Sequence, residues 1–297
     1  MSTPEKRESH PGALSSFESK LIADGKSPHT VSSYCRDVKV FLTFTDGETV
    51  TEELLNEYFS SVGLLNEKNG KKRDTTSVNK IKSSLKAYFK YLHKTGMMDA
   101  DLSEAIKLKS TQRKEPTYLS HIERTRLLKT FRSTKGSLAF RDNAMFTTML
   151  LTGIRVDALI KLNLEDVNLD DKKLTTRTKG DKISKVFLNS RLRGILKRYL
   201  KYRRKLASES DALFLSNRLT RITSRQVSFR LKHWLTKANI TKAISPHSLR
   251  HTFATELLQK TQNLRIVQKA LGHEYLETTK IYTHILDDEM EEALELL

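Results

Sequence analysis

Apolar positions recur at helical spacing through most of the first hundred residues. The segment SPHTVSSYCRDVKVFLTF (27–44) begins with Ser-Pro, which suits a helix start, and its apolar residues return every three or four positions. A second helix is predicted over 51–62, where acidic residues fill the first turn, and a third over 76–96, where Gly96 ends an amphipathic run. The pattern predicts a helical N-terminal domain over residues 1–108.

The pattern then changes twice. Residues 109–117 show no apolar period and include Pro116, as expected of a linker. Helical periods return after the linker, but at 166–189 they give way to short alternating runs around KGDK, which predict a β-hairpin or a small sheet. The predicted fold class is mainly α with a small antiparallel β-sheet, and the second domain is predicted over 118–286.

The positive charge is concentrated in this second domain. Lys and Arg number 53 against 35 Asp and Glu, for a net charge of +18. Residues 116–286 hold 34 basic and 13 acidic side chains, a net charge of +21, whereas the last eleven residues, DDEMEEALELL, hold six acids and no base. So concentrated an excess indicates a polyanionic partner, nucleic acid above all, although charge also keeps chains dispersed in solution.

Other features narrow the class of protein. The longest apolar stretch, near AMFTTMLL (144–151), is far too short to span a membrane. The first ten residues, MSTPEKRESH, lack the apolar core of a secretory signal. Cys35 is the single cysteine, so no internal disulfide is expected. We expect a cytoplasmic, nucleoid-associated protein with no membrane partner.

The segment SPHSLRHTFAT (245–255) puts His247, Arg250 and His251 on one face of a predicted helix. H-x-x-x-H can bind zinc, but the metalloprotease form requires a Glu where Ser248 stands, and Arg250 would repel a cation. An anion suits the cluster better, since a guanidinium fork matches phosphate oxygens and a helix N-terminus favours negative charge. A solvated helix end is the ordinary alternative. We predict no metal and no cofactor.

Four further motifs accompany this cluster along the chain. They are Arg155 in LTGIRVDALIKL, Lys179 in TKGDK, His273 in LGH, and Tyr282 in TTKIYTH nine residues later. With His247 and Arg250, in this order, they make residues 116–297 resemble the tyrosine recombinases, also called the lambda-integrase family. The first hundred residues are similar to the helical, SAM-like core-binding domain of that family, and the short N-terminus is similar to its Xer-type members. The resemblance implies an α+β catalytic domain that forms, with the first domain, a C-shaped clamp on DNA.

The resemblance also implies a role for each motif residue. Tyr282 would attack a phosphodiester and form a 3′-phosphotyrosine, which keeps the ester energy and makes ATP unnecessary. Arg155 and Arg250 would hold the non-bridging oxygens of the phosphorane, where preorganised charge contributes most to catalysis. His273 and His247 would add donors or accept the tyrosine proton, and His247 is alternatively a structural support.

The proton donor to the leaving 5′ oxygen is predicted at the hairpin tip. Lys179 is favoured there, and Lys182 and Lys185 are close rivals. Taken singly, Lys179 would be an ordinary hairpin lysine and Tyr282 an ordinary core tyrosine. His284, two residues after Tyr282, is either an assisting group or a surface residue.

The chain departs from the family pattern at one position. The family has an acid three residues after the first motif arginine, where it helps to orient that arginine. Here Ala158 stands at that position, and Asp157 comes one residue earlier. Adjacent helical residues point about 100° apart, so Asp157 is not a direct substitute. We expect another group to position Arg155.

The acidic C-terminal segment 287–297 carries Met290, Ala293, Leu294 and Leu297 at helical spacing. It either packs on its own domain or, as the resemblance implies, docks on a neighbouring protomer. The predicted partners are a double-stranded DNA target site and further copies of the chain, in a homo-tetramer on two DNA sites, with any accessory protein unknown.

The predicted function is site-specific recombination through a Holliday junction, in chromosome-dimer resolution or in integration and excision of a mobile element. Two alternatives remain open at this point. One is a non-enzymatic DNA-binding protein with a relic site. The other is an enzyme similar to type IB topoisomerases, which share the chemistry but act as monomers.

Overall fold

The computed structural model describes residues 11–61, 65, 72–111, 116–177 and 183–272. The chain divides into two compact units, Met1–Arg113 and Lys114–Leu297. Several predicted features lie outside the described residues, namely Lys179, Lys182, His273, Tyr282, His284 and the segment 287–297.

The described part of the first unit is helical. Its elements are α1 (Pro11–Ala23), α2 (Pro28–Thr45), α3 (Glu52–Ser60) and α4 (Thr75–Lys94). Capping fixes where they begin: the side chains of Ser27, Thr51 and Asp74 accept hydrogen bonds from the backbone N–H groups of the first turns of α2, α3 and α4. These three helices agree with the apolar spacing, whereas α1 was not predicted.

Aromatic side chains pack together with aliphatic ones in the core of this unit. Phe41 of α2 is fully buried, and its ring meets those of Tyr58 and Phe89 edge to face, with centroids 5.1 and 5.7 Å apart. Ser84 of α4 donates a hydrogen bond to the buried carboxylate of Asp37, 2.9 Å away. The first unit therefore has a core of its own.

In its described residues, the second unit combines helices with one sheet. Its elements are α5 (His121–Ser133), α6 (Ser137–Thr152), α7 (Val156–Lys161), β1 (Val167–Asn168), β2 (Lys173–Arg177), β3 (Ile183–Phe187), α8 (Ser190–Arg203), α9 (Ser224–Lys237), α10 (Pro246–Thr261) and α11 (Leu264–Leu271). The strands form an antiparallel sheet in the order β1-β2-β3, with Lys173 opposite Phe187 and Arg177 opposite Ile183. The predicted fold class, mainly α with a small antiparallel sheet, is confirmed.

Helix α6 runs through the core of the second unit. Met145, Phe146, Met149 and Leu150 have no solvent exposure. The buried carboxylate of Asp142 accepts hydrogen bonds from Arg141 on the same helix and from Arg230 and Trp234 on α9, at 2.6 to 2.8 Å. A buried charge is tolerated when it is paired, and this network joins the first half of α6 to α9.

Candidate active site

A glycine turn at the end of α6 determines where the chain goes next. Gly153 caps the helix with a φ of 64°, in the left-handed region. A Cβ at this position would lie 2.4 Å from Cδ1 of Phe253 and 3.0 Å from Cδ2 of Leu271. Both the backbone conformation and the close packing therefore require glycine in the sequence LTGIR.

Arg155 follows this turn and is the N-cap residue of the short helix α7. Its backbone is extended, with φ −67° and ψ 146°, and its side chain is exposed. The guanidinium makes no hydrogen bond or ion pair with any residue that the structure describes. An exposed guanidinium whose donors are not taken up by the described residues is well suited to bind a phosphate.

Arg250 is buried on α10 and is held by two carbonyl groups. Its Nη1 donates to the carbonyl of Gly153 at 2.6 Å, and its Nη2 donates to the carbonyl of Leu271 at 2.7 Å. These carbonyls lie at the C-terminal ends of α6 and α11, where helix dipoles concentrate partial negative charge. The guanidinium is thus fixed in place before any ligand arrives, as electrostatic preorganisation requires.

Two histidines from the same helix lie beside the arginines. The rings of His247 and His251 meet edge to face with centroids 4.5 Å apart. Partial burial and the positive charges of Arg250 and Arg155 lower the pKa of His247 below its ordinary value of 6.5. The influence of both arginines on one imidazole places Arg155, His247 and Arg250 in one electrostatic cluster.

His251 is buried beneath His247. Burial lowers its pKa to about 4, with smaller contributions from the neighbouring His247 and Arg250. Its imidazole is therefore neutral near pH 7, and it packs under His247 without adding charge to the cluster. The helical spacing predicts that His251 shares a face with His247 and Arg250, but spacing alone does not distinguish a supporting residue from a surface one.

The structure also shows how α7 is held without the usual acid. Ala158 is buried, and Asp157 is exposed in the first turn of the helix. At the other end, Arg221 donates to the carbonyls of Ile160 and Leu162 at 2.9 and 3.1 Å. Arg221 also donates to the side-chain oxygen of Asn163, at 2.6 Å. We therefore regard Arg221 as a positioning residue for α7, which no sequence motif had indicated.

Of the predicted site residues, Arg155, His247 and Arg250 come together, and the other three lie outside the described residues. Lys185, a predicted rival of Lys179, is exposed on β3 opposite Thr175. The described residues contain no group of three or more His, Cys, Asp or Glu side chains placed to hold a metal ion. Within the same residues, no helix is both long and apolar enough to cross a membrane.

Comparison with known families identifies both units. Residues 117–289 match the phage integrase family, and residues 14–96 match the phage integrase N-terminal SAM-like domain. The chain is 32% identical over 271 residues to tyrosine recombinase XerC of Thermodesulfovibrio yellowstonii, covering 89% of this chain and 88% of that protein. It is also 32% identical over 272 residues to tyrosine recombinase XerC of Neisseria meningitidis, covering 92% and 90%.

Solved structures share the architecture. XerA recombinase is 29% identical, with a TM-score of 0.56 over 96% of this chain and 97% of that one. The XerH site-specific recombinase bound to a palindromic difH substrate has the same fold, with a TM-score of 0.74 and 24% identity over 95% and 84% of the two chains.

The chain therefore belongs to the phage integrase family, the tyrosine recombinases. It is an Xer-like enzyme of the class that cleaves and rejoins DNA.

Proposed function

We propose that this protein is a site-specific recombinase that cleaves and rejoins duplex DNA through a covalent bond to Tyr282. The observation that carries the proposal is the hydrogen bond from Arg250 to the carbonyl of Gly153, two residues before the exposed Arg155, with His247 about one turn from Arg250 on α10. Such a cluster, with one arginine exposed and another held by two helix ends, suits the binding of a phosphodiester and of the phosphorane formed from it.

In the proposed reaction, the Tyr282 hydroxyl attacks the phosphorus and the bond to the 5′ oxygen breaks. The tyrosine proton passes to His273 or His247, and Lys179 gives a proton to the departing 5′ oxygen, with Lys182 and Lys185 as alternatives. Arg155 and Arg250 hold the non-bridging oxygens while negative charge develops on them. Removing one such donor typically costs about 10²–10³ in rate.

The neutral state of His247 supports a role in proton transfer. Partial burial and two neighbouring arginines lower its pKa, so the imidazole is largely unprotonated near pH 7 and able to accept a proton. Protonation by the tyrosine would then add a positive charge beside the phosphorane. Joining reverses these steps: a free 5′ hydroxyl attacks the 3′-phosphotyrosine, loses its proton and releases the tyrosine, so that no ATP is consumed.

We further propose that exchange of strands between two DNA sites passes through a Holliday junction within a homo-tetramer, with the acidic segment 287–297 docked on a neighbouring protomer. Chromosome-dimer resolution is one proposed role, and the 32% identity to tyrosine recombinase XerC of Thermodesulfovibrio yellowstonii supports recombination as the activity behind it. The family match to phage integrases supports integration or excision of a mobile element as the other role. We place the protein in the cytoplasm, associated with the nucleoid.

A nicked suicide substrate tests the proposed chemistry. On such DNA, cleavage releases a short fragment that diffuses away, so the covalent intermediate accumulates. We expect a protein–DNA adduct that survives denaturant and disappears after digestion with protease. DNA binding without any adduct would instead indicate a DNA-binding protein with a relic site.

Sizing of the DNA complex then separates the proposed recombinase from a topoisomerase-like enzyme. A recombinase should pair two sites in a tetramer and yield exchanged strands. A monomeric complex that relaxes supercoiled DNA without exchanging strands would contradict the proposal.

A further inference from the structure

A second cationic cavity lies in the same unit, and Leu151 near the end of α6 is among the residues that line it. It is a cavity of about 370 Å³ between α5, the start of α8 and the second half of α10. The charged or titratable side chains that line it are Arg124, Arg132, Arg191, Lys260, His121 and Glu256. Glu256 and Lys260 follow Arg250 by six and ten residues, which is about 9 and 15 Å along the helix. None of Arg155, His247 and Arg250 lines the cavity, so its cationic side chains are different from those of the candidate active site.

The positive charge of the cavity exceeds what its own carboxylate can balance. Glu256 accepts hydrogen bonds from Nη1 of Arg124 at 2.9 Å and from Nζ of Lys260 at 3.1 Å. Arg132 and Arg191 form no ion pair with any residue that the structure describes. Three arginines and one lysine thus line the cavity with a single carboxylate, that of Glu256. This excess of positive charge favours the binding of an anion.

A buried donor in this cavity also lacks a partner. The Arg124 side chain is only 10% exposed, and its Nε has no hydrogen-bond partner in the described part of the chain. An unsatisfied buried donor typically costs about 1–3 kcal/mol, and more for a charged group, so such donors are rare without a reason. A bound anion oxygen would satisfy it.

Two further features agree with an anion. Asn189 caps the start of α8 at the cavity, where its side chain accepts from the N–H of Leu192 at 2.9 Å, and helix N-termini favour anions. Burial, followed by the charges of Arg132 and Arg124, lowers the pKa of Arg191. The arginines are therefore close enough to repel one another across the cavity.

We propose that this cavity binds a phosphate group, as a second anion site independent of the one at Arg155. Three arginines supply planar donor pairs of the kind that match phosphate oxygens, and Lys260 adds a fourth cation. The phosphate group comes either from a small free phosphate or from the backbone of bound DNA. The two sources share the same chemistry and are separated by experiment.

Calorimetric titration of the full-length protein with inorganic phosphate, at constant ionic strength, tests the site. An Arg155→Gln background removes the exposed arginine of the other anion site, and we expect phosphate binding to persist there. Adding Arg132→Gln or Arg191→Gln to this background should raise the Kd for phosphate at least tenfold. Both residues are exposed, so the folded structure should tolerate these changes.

Lys129→Gln on α5 is the matched control, because it removes the same charge from an exposed residue of α5 that does not line the cavity. It should leave phosphate binding unchanged. No phosphate binding in the Arg155→Gln background, or equal losses in the Lys129→Gln and Arg191→Gln proteins, would overturn the proposal.

Measurements with duplex DNA identify the source of the phosphate. If Arg191→Gln weakens DNA binding far more than Lys129→Gln does, and DNA competes with free phosphate, the site holds a backbone phosphate. If DNA affinity falls equally in both proteins while phosphate binding is lost only in Arg191→Gln, the site holds a free phosphate. Adduct formation on suicide DNA is scored separately, so failure of this site and failure of the proposed recombination are distinguishable.

Discussion

Gly153 is the residue on which the geometry of the candidate site depends most. It sets the direction of the chain toward Arg155, leaves room for Phe253, and offers the carbonyl that holds Arg250. Only glycine combines the left-handed backbone of this turn with the space that Phe253 occupies, whereas any residue could offer the carbonyl.

Substitution of Gly153 by alanine should therefore damage both stability and chemistry. A left-handed alanine costs about 1–2 kcal/mol, and the contact with Phe253 adds to that cost. We expect urea unfolding to show a loss of at least this size and the rate of adduct formation to fall more than tenfold. Gly194→Ala in α8 is the control, since the added Cβ meets nothing within 4 Å and helix propensity improves. Equal behaviour of the two variants would contradict the role of the turn.

His251 predicts how stability depends on pH. Its pKa is about 4 in the folded protein and about 6.5 when unfolded, so the unfolded chain binds the proton first as pH falls. The free energy of unfolding therefore keeps its full value well above pH 6.5. It falls progressively toward pH 4, and His251 accounts for a loss of up to about 3 kcal/mol.

Chemical unfolding of the wild-type protein between pH 7 and pH 4 should show this loss, and His251→Gln should show a smaller one over the same range. His247, whose pKa is also lowered, contributes in the same direction in both proteins. Identical pH profiles would mean that burial does not hold His251 neutral.

At the scale of elements, the short helix α7 is the link between the fold and Arg155. It has 6 residues, which is fewer than two turns. The carbonyls at its C-terminal end accept hydrogen bonds from Arg221, about 60 residues further along the chain. Loss of that anchor should let the helix, and with it Arg155, shift relative to Arg250.

Arg221→Gln should consequently lower the rate of adduct formation by tenfold or more while leaving the Kd for DNA nearly unchanged. Arg218→Gln, an exposed arginine of the preceding loop, is the matched control and should retain the wild-type rate. A parallel loss of DNA affinity and rate in Arg221→Gln would point to a general structural defect or a direct DNA contact instead of positioning.

The elements themselves were largely predictable, because helix caps and apolar spacing are local properties of the sequence. The Ser-Pro pair predicts the start of α2, and the acidic residues after Thr51 predict the first turn of α3. The amphipathic run that stops before Gly96 predicts α4. The contacts that build the site are not local: Gly153 and Arg250 are 97 residues apart, and their hydrogen bond has no signature in either segment alone. The role of Arg221 is not predictable from the sequence for the same reason, since this residue precedes α9 and belongs to no periodic pattern.

For the whole molecule, the concentration of charge predicts a strong dependence of DNA binding on salt. Residues 116–286 carry 34 basic and 13 acidic side chains. If the protein neutralises on the order of six phosphates, log K should fall with log salt with a slope of about −5, since each phosphate on duplex DNA contributes about −0.9. Fluorescence anisotropy with labelled duplex at several KCl concentrations gives the slope directly. A slope near zero would rule out phosphate contacts as the main source of affinity.

The proposed reaction attaches Tyr282 covalently to DNA, and the site of attachment can be mapped. Adduct trapped on suicide DNA is digested with nuclease and protease, and the peptide that carries the nucleotide is sequenced by mass spectrometry. We predict a modified peptide containing Tyr282, no adduct with Tyr282→Phe, and a normal adduct with Tyr275→Phe, a matched loss of one hydroxyl seven residues earlier. A nucleotide on any other residue, or an adduct that still forms with Tyr282→Phe, would show that Tyr282 is not the nucleophile.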